Sequence, residues 1–263
     1  MIESKKEKVV ILAGGFGTRI SEETEKRPKP MVTIGGKPIL WHIMKHYSHY
    51  GYNNFIICCG YMGYVIKEYF ANYFLHMSDV TFNMADNKME VHVRNAEPWK
   101  VTLVDTGEAT MTGGRVKRIK DYVKDDDFFH LTYGDGLSDI DINKLVKEYK
   151  KNKTTGILTA AFPPARFGAL DIKEDKVISF KEKPKGDGSY VSACFFIFNS
   201  NLFDLLVDDT TILEKKPLEE LSKNNDLSVF KYDGFWFAMD TLRDKIYLDS
   251  LWEKDDCPWK TWS

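Results

Sequence analysis

The sequence has few cysteines and no apolar run long enough to cross a bilayer. Its four cysteines form no C-x-x-C pair and no zinc-ligand spacing, which argues against a metal ribbon or a disulfide framework. Two of them, Cys58 and Cys59, lie in an apolar run, so we expect buried free thiols of the kind found in a reducing cytosol. The charged amino-terminal segment lacks the apolar core of a signal peptide. We therefore expect a cytoplasmic protein with no membrane partner.

Neither sign of charge dominates the sequence. The 37 lysines and arginines nearly balance the 39 aspartates and glutamates, leaving a formal net charge of −2. A protein that binds nucleic acid through its phosphates needs an excess of positive charge on the binding surface. The composition therefore gives no reason to expect a nucleic-acid partner.

Two common glycine-rich phosphate motifs are also missing. The glycine-rich string at Gly14–Gly17 has Ile20 where a dinucleotide-binding fingerprint needs its third glycine. No Gly-Lys-Ser/Thr follows at the spacing of a P-loop. A dehydrogenase of the Rossmann type and a P-loop enzyme are therefore disfavoured.

The glycine string itself, Gly14-Gly15-Phe16-Gly17-Thr18-Arg19, follows the apolar run Val9–Leu12. The pattern predicts a buried parallel strand, a tight turn and a helix start, whose backbone N–H groups would form an anion nest. Lys29 stands between two prolines, which we expect to hold it on an extended segment. The whole segment is typical of a polyphosphate site, and an ordinary strand-to-helix turn is the alternative.

The rest of the chain alternates apolar strands with helical patterns, which predicts an α/β protein with a doubly wound sheet. Between about 77 and 104 the helical patterns stop and short alternating stretches take over, which predicts a β insertion. Predicted strands are Met31–Ile34, Phe55–Cys59, Phe128–Thr132 and Gly156–Ala161; predicted helices lie within 39–50, 65–70, 115–122, 142–149 and 242–252.

Two aspartates have the setting of metal ligands. Asp135 follows an apolar strand inside Tyr-Gly-Asp-Gly, and ligands of open α/β sheets bind at the carboxyl ends of strands. Asp240 follows a second short apolar stretch. Two carboxylates suit Mg²⁺, which completes its shell with waters and phosphate oxygens. The alternative for Asp240 is a helix N-cap, because a clear helical pattern begins just after it.

Histidines supply no comparable site. His42, His46 and His49 fall on one helix at i, i+4 and i+7, but no carboxylate stands among them as in H-E-x-x-H. We expect these histidines to be structural.

Many segments of the sequence resemble sugar-1-phosphate nucleotidyltransferases, and more narrowly the glucose-1-phosphate cytidylyltransferases. The resemblance rests on Leu-Ala-Gly-Gly-x-Gly-Thr-Arg with a downstream Pro-Lys-Pro, and on later segments spread over nearly the whole chain, which are Cys58–Tyr61, Asp105–Gly107, Met111–Arg115, Tyr133–Gly136, Phe167–Leu170, Glu182–Gly186 and Met239–Asp244. It implies one domain over 1–263 with a Rossmann-like doubly wound mixed sheet, the nucleotidyltransferase fold. Within it lie the β insertion at 77–104 and acceptor-side strands around 163–240. It also implies a homo-oligomer, with the insertion used in its contacts.

The activity that the resemblance implies is transfer of CMP from CTP to a phosphate-monoester acceptor, with Mg²⁺ as cofactor and release of pyrophosphate. Arg19, Lys29, Asp135 and Asp240 would be catalytic, and the two aspartates would hold the metal. Lys183 and Lys185 would receive the phosphate of the acceptor. The implied nucleotide-binding residues are Leu12, Ala13, Gly14, Gly15, Gly17, Thr18, Arg19, Lys29, Thr110, Arg115 and Gly134.

Three segments depart from the cytidylyltransferase pattern, and we expect all three on the acceptor side. Ser192-Ala193-Cys194 replaces Asn-Gly-Gly, Leu213-Glu214-Lys215-Lys216 replaces Trp-Glu-x-Glu, and Phe237-Ala238 replaces Gln-Pro. We assign acceptor contacts to Ser192, Ala193, Cys194 and Phe237.

These changes add bulk and remove groups that could bind sugar hydroxyls. Glucose 1-phosphate is the acceptor that the family implies, and a smaller polyol phosphate giving a CDP-glycerol-type product is a close rival. Two further hypotheses stay open, a UTP- or dTTP-using enzyme and a non-catalytic nucleotide-binding regulatory protein.

Overall fold

The computed structural model describes residues 5–163, 169–173, 176–181 and 190–262. The strands of this part of the chain are β1 Val9–Ala13, β2 Thr33–Ile34, β3 Lys37–Pro38, β4 Asn54–Cys59, β5 Ser78–Asn83, β6 Lys88–Arg94, β7 Lys100–Asp105, β8 Phe129–Tyr133, β9 Gly136–Ser138, β10 Gly156–Ala161, β11 Ala169–Lys173, β12 Lys176–Lys181, β13 Val191–Phe198, β14 Leu227–Tyr232 and β15 Trp236–Ala238.

The helices alternate with these strands as the sequence predicts. They are α1 Ser21–Thr24, α2 Ile39–His49, α3 Gly63–Ala71, α4 Tyr73–His76, α5 Thr112–Arg118, α6 Lys120–Val123, α7 Ile142–Asn152, α8 Lys216–Lys223 and α9 Leu242–Glu253, with 3₁₀ turns at Thr18–Ile20, Lys29–Met31 and Ser200–Leu205. In the part of the chain described, no helix combines the length and apolar character that crossing a bilayer requires.

A seven-stranded mixed sheet forms the centre, in the order β14-β10-β13-β8-β1-β4-β7. Strand β1 runs parallel to both of its neighbours, β4 and β8, and all five of its residues are buried. Strand β13 is antiparallel to β8 and to β10, so the sheet is mixed, as expected. A central parallel strand covered on both faces has a continuous apolar sequence, which is why β1 shows no alternation.

Helices cover both faces of this sheet, which confirms the doubly wound α/β class. On one face, Ile11 and Ile57 pack with residues of α2, α7 and α9. On the other face, Val10 and Leu131 pack with residues of α5, α6 and α8. Every second residue of a strand therefore enters a different core, and the carboxyl ends of β1 and β8 are left at one edge of the sheet, where a ligand can bind.

The insertion is smaller than the sequence pattern indicates. Strands β5 and β6 form an isolated antiparallel hairpin over 78–94, but β7 belongs to the central sheet, where it is the edge strand beside β4. Because β7 is an edge strand, its sequence has the same short alternating pattern as the hairpin strands. The sequence alone therefore does not distinguish β7 from the insertion. The expected boundary at residue 104 is therefore wrong.

Two further expectations about local structure need correction. The segment around Lys29 is a 3₁₀ turn and not an extended stretch, because Pro28 is the extended residue before it and Pro30 sits within its first positions, where a missing N–H is tolerated. Helix α8 is the second difference, because the sequence analysis predicts no helix between 150 and 241; it is a short amphipathic helix that buries Pro217 and Leu221.

The carboxy-terminal aromatic tail packs on the body of the protein. Trp259 is buried, and its indole N–H donates to His42 Nδ1 at 3.3 Å. Burial lowers the pKa of His42 to about 4, and the pKa of His46 falls to the same value for the same reason. The histidines of α2 that are buried here are neutral core residues, as expected.

Candidate active site

A cleft of about 470 Å³ lies at the carboxyl ends of β1 and β8. The glycine string forms one wall, and the segment 108–112 forms another. All of the residues predicted to bind nucleotide line this one cleft: Leu12, Ala13, Gly14, Gly15, Gly17, Thr18, Arg19, Lys29, Thr110, Arg115 and Gly134. The sequence therefore identified a set of residues that the fold brings together from four separate segments.

The glycine loop is shaped by Gly17. This residue has φ +65°, and a Cβ atom there would stand 2.9 Å from Thr24 Cγ2 and 3.1 Å from Lys29 Cβ. A side chain at this position would be strained in its backbone and would push Lys29 away. Gly17 therefore lets the loop turn tightly and brings it against the lysine.

Lys29 is the centre of a small charge cluster. Its Nζ atom lies 2.6 Å from Asp135 Oδ2 and 2.8 Å from Asp240 Oδ1, and its side chain is only 10% exposed. Burial alone would lower the pKa of Lys29, but the two carboxylates, Asp135 first, outweigh that effect and raise it. The ammonium is therefore charged at neutral pH, inside a cleft where its field is poorly screened.

Asp240 is not the cap of helix α9. Thr241 is the N-cap, and it forms a capping box with Asp244, whose side chain accepts from the Thr241 backbone N–H. The carboxylate of Asp240 instead accepts from Lys29 and from Arg19, whose NH1 atom lies 2.8 Å from Asp240 Oδ2. The structure thus separates the two alternatives that the sequence leaves open. The capping function falls on the next residue, and the carboxylate of Asp240 faces Lys29 and Arg19, which line the cleft.

Two carboxylates that converge on one cation are a suitable donor set for a divalent metal ion. Asp135 and Asp240 both bind the same ammonium nitrogen, so their oxygens meet at a cation-sized position. No group of three or more His, Cys, Asp or Glu side chains placed to hold a metal occurs among the described residues. A metal bound here would take its remaining ligands from water and phosphate, as Mg²⁺ usually does.

Arg115 is buried, and the protein itself uses its terminal N–H groups. Its NH1 atom donates to Thr106 Oγ1 at 2.8 Å and to the Gly107 carbonyl at 2.7 Å. Its NH2 atom donates to the carbonyls of Gly14 at 2.9 Å and Glu108 at 3.0 Å. Arg115 therefore ties the glycine loop to the segment after β7, and so fixes the width of the cleft.

The residues assigned to the acceptor are only partly brought together. Cys194 is half-buried; burial raises the pKa of its thiol, and the charge of nearby Asp135 adds to the rise. Ser192 is exposed and Ala193 is fully buried, and their assignment to the acceptor stays a prediction. Phe237 is half-buried against Tyr247, at a ring distance of 5.0 Å. Lys183 and Lys185 lie outside the described residues.

One departure from the family pattern lies in a different place from the others. The side chain of Glu214 lines the cleft beside Met111 and Thr112, and Thr112 Oγ1 donates to Glu214 Oε2 at 2.7 Å. This segment therefore borders the wall that carries Thr110 and Arg115, and not the acceptor-side strand β13. Among the cleft residues that the sequence analysis did not assign, Glu108 and Glu214 are the two that carry a charge, and an isolated glutamate in a polar segment gives no signal.

Comparison with known proteins gives close relatives over nearly the whole chain. The nucleotidyl transferase family profile matches residues 8–233. A glucose-1-phosphate cytidylyltransferase of Salmonella typhimurium is 62% identical over 255 residues, covering 97% of this chain and 99% of the relative. A probable glucose-1-phosphate cytidylyltransferase of Bacillus subtilis is 39% identical over 256 residues, covering 97% of this chain and 100% of the relative.

Solved structures share the fold at much lower identity. HddC from Yersinia pseudotuberculosis aligns with a TM-score of 0.66 at 23% identity, covering 94% of this chain and 99% of that one. A UDP-glucose pyrophosphorylase complexed with UDP-glucose aligns with a TM-score of 0.68 at 15% identity, covering 95% of this chain and 99% of the other. At this level of identity the structural likeness supports the fold. The assignment to the family rests on the relatives found by sequence.

Proposed function

The chain belongs to the nucleotidyltransferase family that contains the glucose-1-phosphate cytidylyltransferases, and we propose that it transfers CMP from CTP to glucose 1-phosphate. The products are CDP-glucose and pyrophosphate. The observation that carries this proposal is 62% identity to a glucose-1-phosphate cytidylyltransferase over nearly the full length of both chains. The convergence of Asp135 and Asp240 on Lys29, which lines the cleft, supports it independently.

The reaction is an in-line displacement at the α-phosphorus of CTP. A phosphate oxygen of the acceptor forms the new P–O bond, and the bond from the α-phosphorus to the α–β bridging oxygen breaks, so that pyrophosphate leaves with its electron pair. The attacking phosphate is already an anion, so no protein nucleophile and no general base are needed. Positioning and neutralisation of charge account for the catalysis.

The protein supplies positive charge where the leaving group develops negative charge. Lys29 stands buried at the cleft and would move from the carboxylates to the bridging and leaving oxygens once the triphosphate is bound. Arg19 is 70% exposed along its side chain, and the N–H groups that it does not donate to Asp240 would reach an outer phosphate. The N–H groups of the glycine loop, Gly14 to Thr18, would hold the triphosphate.

Nucleotidyltransferases of this family generally use a divalent metal ion, and we propose Mg²⁺ held by Asp135 and Asp240. Such an ion would orient the α-phosphate and withdraw electron density from it. Thr110 and Gly134 would contact the nucleoside, and Arg115 would act through the backbone that it ties together. Lys183 and Lys185 are proposed to receive the phosphate of the acceptor.

A smaller phosphate ester is the second candidate acceptor. The observation that favours it is the side chain at Cys194, which has φ +60°, a conformation in which glycine is the unstrained residue. A thiol in that position takes up space next to the metal-binding aspartates. High overall identity to glucose-1-phosphate cytidylyltransferases nevertheless favours glucose 1-phosphate.

Different functions on the same fold have less support. A non-catalytic nucleotide-binding protein would have no need of a lysine bridging two carboxylates in its cleft. Enzymes that use other nucleotides share this fold, as the UDP-glucose pyrophosphorylase does, but at 15% identity. The choice of CTP therefore follows the relatives that are 62% and 39% identical.

The hairpin β5–β6 is proposed to contact a second copy of this chain. It stands away from the body, and Phe82, Met84 and Met89 on it are 53%, 86% and 49% exposed. Apolar side chains that stand together on a surface usually mark an interface. The proposed assembly is a homo-oligomer acting in the cytoplasm, where buried free thiols remain reduced.

Product analysis tests the proposed function. The purified protein is incubated with CTP, glucose 1-phosphate and Mg²⁺, and the nucleotide products are identified by mass spectrometry. We expect CDP-glucose with the wild type and none above background with Asp135→Asn, which keeps the shape of the side chain. Absence of any CDP-linked product from the wild type, with glucose 1-phosphate or any other acceptor, would contradict the proposal.

A further inference from the structure

Strands β9 and β15 form a short antiparallel ladder with the two aspartates proposed to hold the metal at one end. Three residue pairs make up the ladder, and Gly136 lies opposite Ala238 at that end. Asp135 comes directly before Gly136, and its carbonyl accepts from the Met239 backbone N–H at 2.9 Å. Asp240 follows Met239. The separation of the two carboxylates therefore depends on how β15 is aligned with β9.

A ladder of three pairs is too short to fix its own register. Isolated antiparallel pairs are marginally stable in water even when they are longer, and a slip of one residue would turn every side chain to the opposite face. The alignment therefore depends on contacts beyond the ladder. At the end that carries the aspartates, one such contact is the Asp240 backbone N–H, which donates to Asp244 Oδ2 at 3.0 Å.

Asp139 closes the other end of the ladder. Its Oδ1 atom accepts from the Phe235 backbone N–H at 2.7 Å and from the Tyr232 hydroxyl. Its own backbone N–H donates to the Phe235 carbonyl at 3.3 Å, and the Ser138 hydroxyl donates to the same carbonyl at 2.7 Å. Both polar groups of the Phe235 backbone are therefore bound by the end of β9, just before β15 begins.

Tyr232 connects this end of the ladder to the central sheet. It is the last residue of β14, where it pairs with Ala161 of β10. Burial raises the pKa of its phenol, and the Asp139 carboxylate adds to the rise, so the hydroxyl stays protonated and donates. Gly234 leaves room for the contact, because a Cβ atom there would collide with the Tyr232 hydroxyl and would stand 3.0 Å from Asp139 Oδ1.

We propose that Asp139 is a positioning residue of the metal site, which sets the register of β15 on β9 and with it the separation of Asp135 and Asp240. This inference rests on the proposed function. Asp139 does not touch the metal itself, because four residues of mostly extended chain, about 13 Å, separate it from Asp135. It acts through the ladder, in the way that outer groups hold metal ligands in orientation.

The test compares CTP binding with and without the metal in the wild type and in Asp139→Ala. Calorimetry in the absence of an acceptor gives the dissociation constant of CTP in EDTA and in Mg²⁺, and the ratio of the two measures the contribution of the ion. We expect this ratio to fall about tenfold in Asp139→Ala, because the two carboxylates no longer meet at one position. The Mg²⁺ concentration that gives half-maximal turnover should rise by the same factor.

Two further variants change the contact in different ways. Asp139→Asn keeps an oxygen acceptor at Oδ1 and should retain most of the Mg²⁺ dependence of the wild type. Gly234→Ala leaves Asp139 in place but displaces the Tyr232 hydroxyl from it, and should lower the ratio in the same direction as Asp139→Ala. Equal ratios in the wild type, Asp139→Ala and Gly234→Ala would overturn the inference.

Asp141→Ala is the matched control for a general loss of stability. Asp141 lies two residues further along the chain and caps α7, where its side chain accepts from the Lys144 backbone N–H at 3.0 Å. Its removal should lower the melting temperature and leave the ratio unchanged. If Asp141→Ala lowers the ratio as much as Asp139→Ala does, or if Asp139→Ala lowers only the melting temperature, the inference is wrong.

The same measurements separate this inference from the proposed function. A wild type that forms CDP-glucose and binds CTP more tightly in Mg²⁺, with an Asp139→Ala variant of equal ratio, overturns the role of Asp139 alone. A wild type that forms no CDP-linked product overturns the proposed function. If Mg²⁺ has no effect on CTP binding by the wild type, the proposed metal site is wrong, and this inference is wrong with it.

Discussion

The Nζ atom of Lys29 lies 2.6 Å from Oδ2 of Asp135, although 106 residues separate the two along the chain. The lysine comes from a 3₁₀ turn beside the glycine loop, and the aspartate follows the end of β8. Asp240 completes the group from a third segment, with Oδ1 at 2.8 Å from the same nitrogen. In the free protein one ammonium therefore occupies the position where two carboxylates could hold a metal ion.

Replacing Lys29 should separate catalysis from metal binding. Lys29→Met should lower kcat by about 10² to 10³, because a buried positive charge that stabilises the leaving oxygens is lost. The same change leaves Asp135 and Asp240 facing each other without a cation. Mg²⁺ or Ca²⁺ alone should then raise the melting temperature of the variant more than that of the wild type, as measured by calorimetry. An equal rise in both proteins would contradict the shared position of ammonium and metal.

Neighbouring residues at the start of α9 should give opposite phenotypes. Asp240→Asn should abolish most turnover while leaving the melting temperature close to that of the wild type, because the cap of the helix is intact. Thr241→Ala removes the N-cap hydroxyl and should cost about 1 kcal/mol in the free energy of unfolding. Urea unfolding and the rate of pyrophosphate release, measured on both variants, check this. A large loss of stability in Asp240→Asn would assign that residue to structure.

Arg115→Lys should damage both stability and nucleotide binding. A lysine cannot reach the Gly14 and Glu108 carbonyls and Thr106 at once, so buried acceptors lose their partners, at about 1–3 kcal/mol in the free energy of unfolding. The glycine loop then loses its tie to the segment after β7. We expect a higher KM for CTP and a smaller effect on kcat. Unchanged stability with a lower kcat would instead point to direct contact with the reacting groups.

The buried histidines should make the protein sensitive to mild acid. Burial lowers the pKa of His130 to about 3, and neither ring nitrogen has a hydrogen-bond partner in the described structure. Since the pKa of an unfolded histidine is about 6.5, the unfolded state binds more protons below that pH, and stability falls as the pH drops from about 6.5 towards the folded pKa. His130→Phe should lose less free energy of unfolding between pH 7 and pH 5 than the wild type. Equal slopes would show that His130 does not contribute.

Polar residues on the hairpin should weaken the proposed assembly. Phe82→Ser with Met89→Ser removes two exposed apolar side chains from β5 and β6. We expect a smaller species by sedimentation velocity, with an unchanged far-ultraviolet circular dichroism spectrum because the hairpin packs little on the body. Ile178→Ser is the control, an exposed apolar residue on β12. The same sedimentation coefficient in the hairpin variant and the wild type would contradict the interface.

The sequence predicts the parts of this molecule in which local pattern and burial agree. Strand β1 is an unbroken apolar run because it is central, so the sequence predicts it directly. The glycine-rich loop that follows is typical of a ligand-binding turn, so the edge of the sheet where the ligand binds can be predicted as well. The outer elements are different. The edge strand β7 alternates like the hairpin next to it in sequence, and only its pairing with β4 assigns it to the sheet.

Contacts between segments that are distant in the sequence explain the remaining differences between the predictions and the structure. Pro28 and Pro30 are compatible with an extended segment and with a 3₁₀ turn, and the sequence around them does not distinguish the two; in the structure this turn lies close against Gly17. Glu214 gives no signal in the sequence because its position depends on backbone hydrogen bonds between residues about a hundred positions apart.

The most direct measurement is the rate of pyrophosphate release with CTP and Mg²⁺ across a panel of acceptors: glucose 1-phosphate, other sugar 1-phosphates and both glycerol phosphates. We expect glucose 1-phosphate to give the highest kcat/KM, with activity lost in Asp135→Asn. A glycerol phosphate as the best acceptor would show that Cys194 and Phe237 have reshaped the pocket. If none of the acceptors in the panel supports pyrophosphate release, the proposed transferase activity is contradicted altogether.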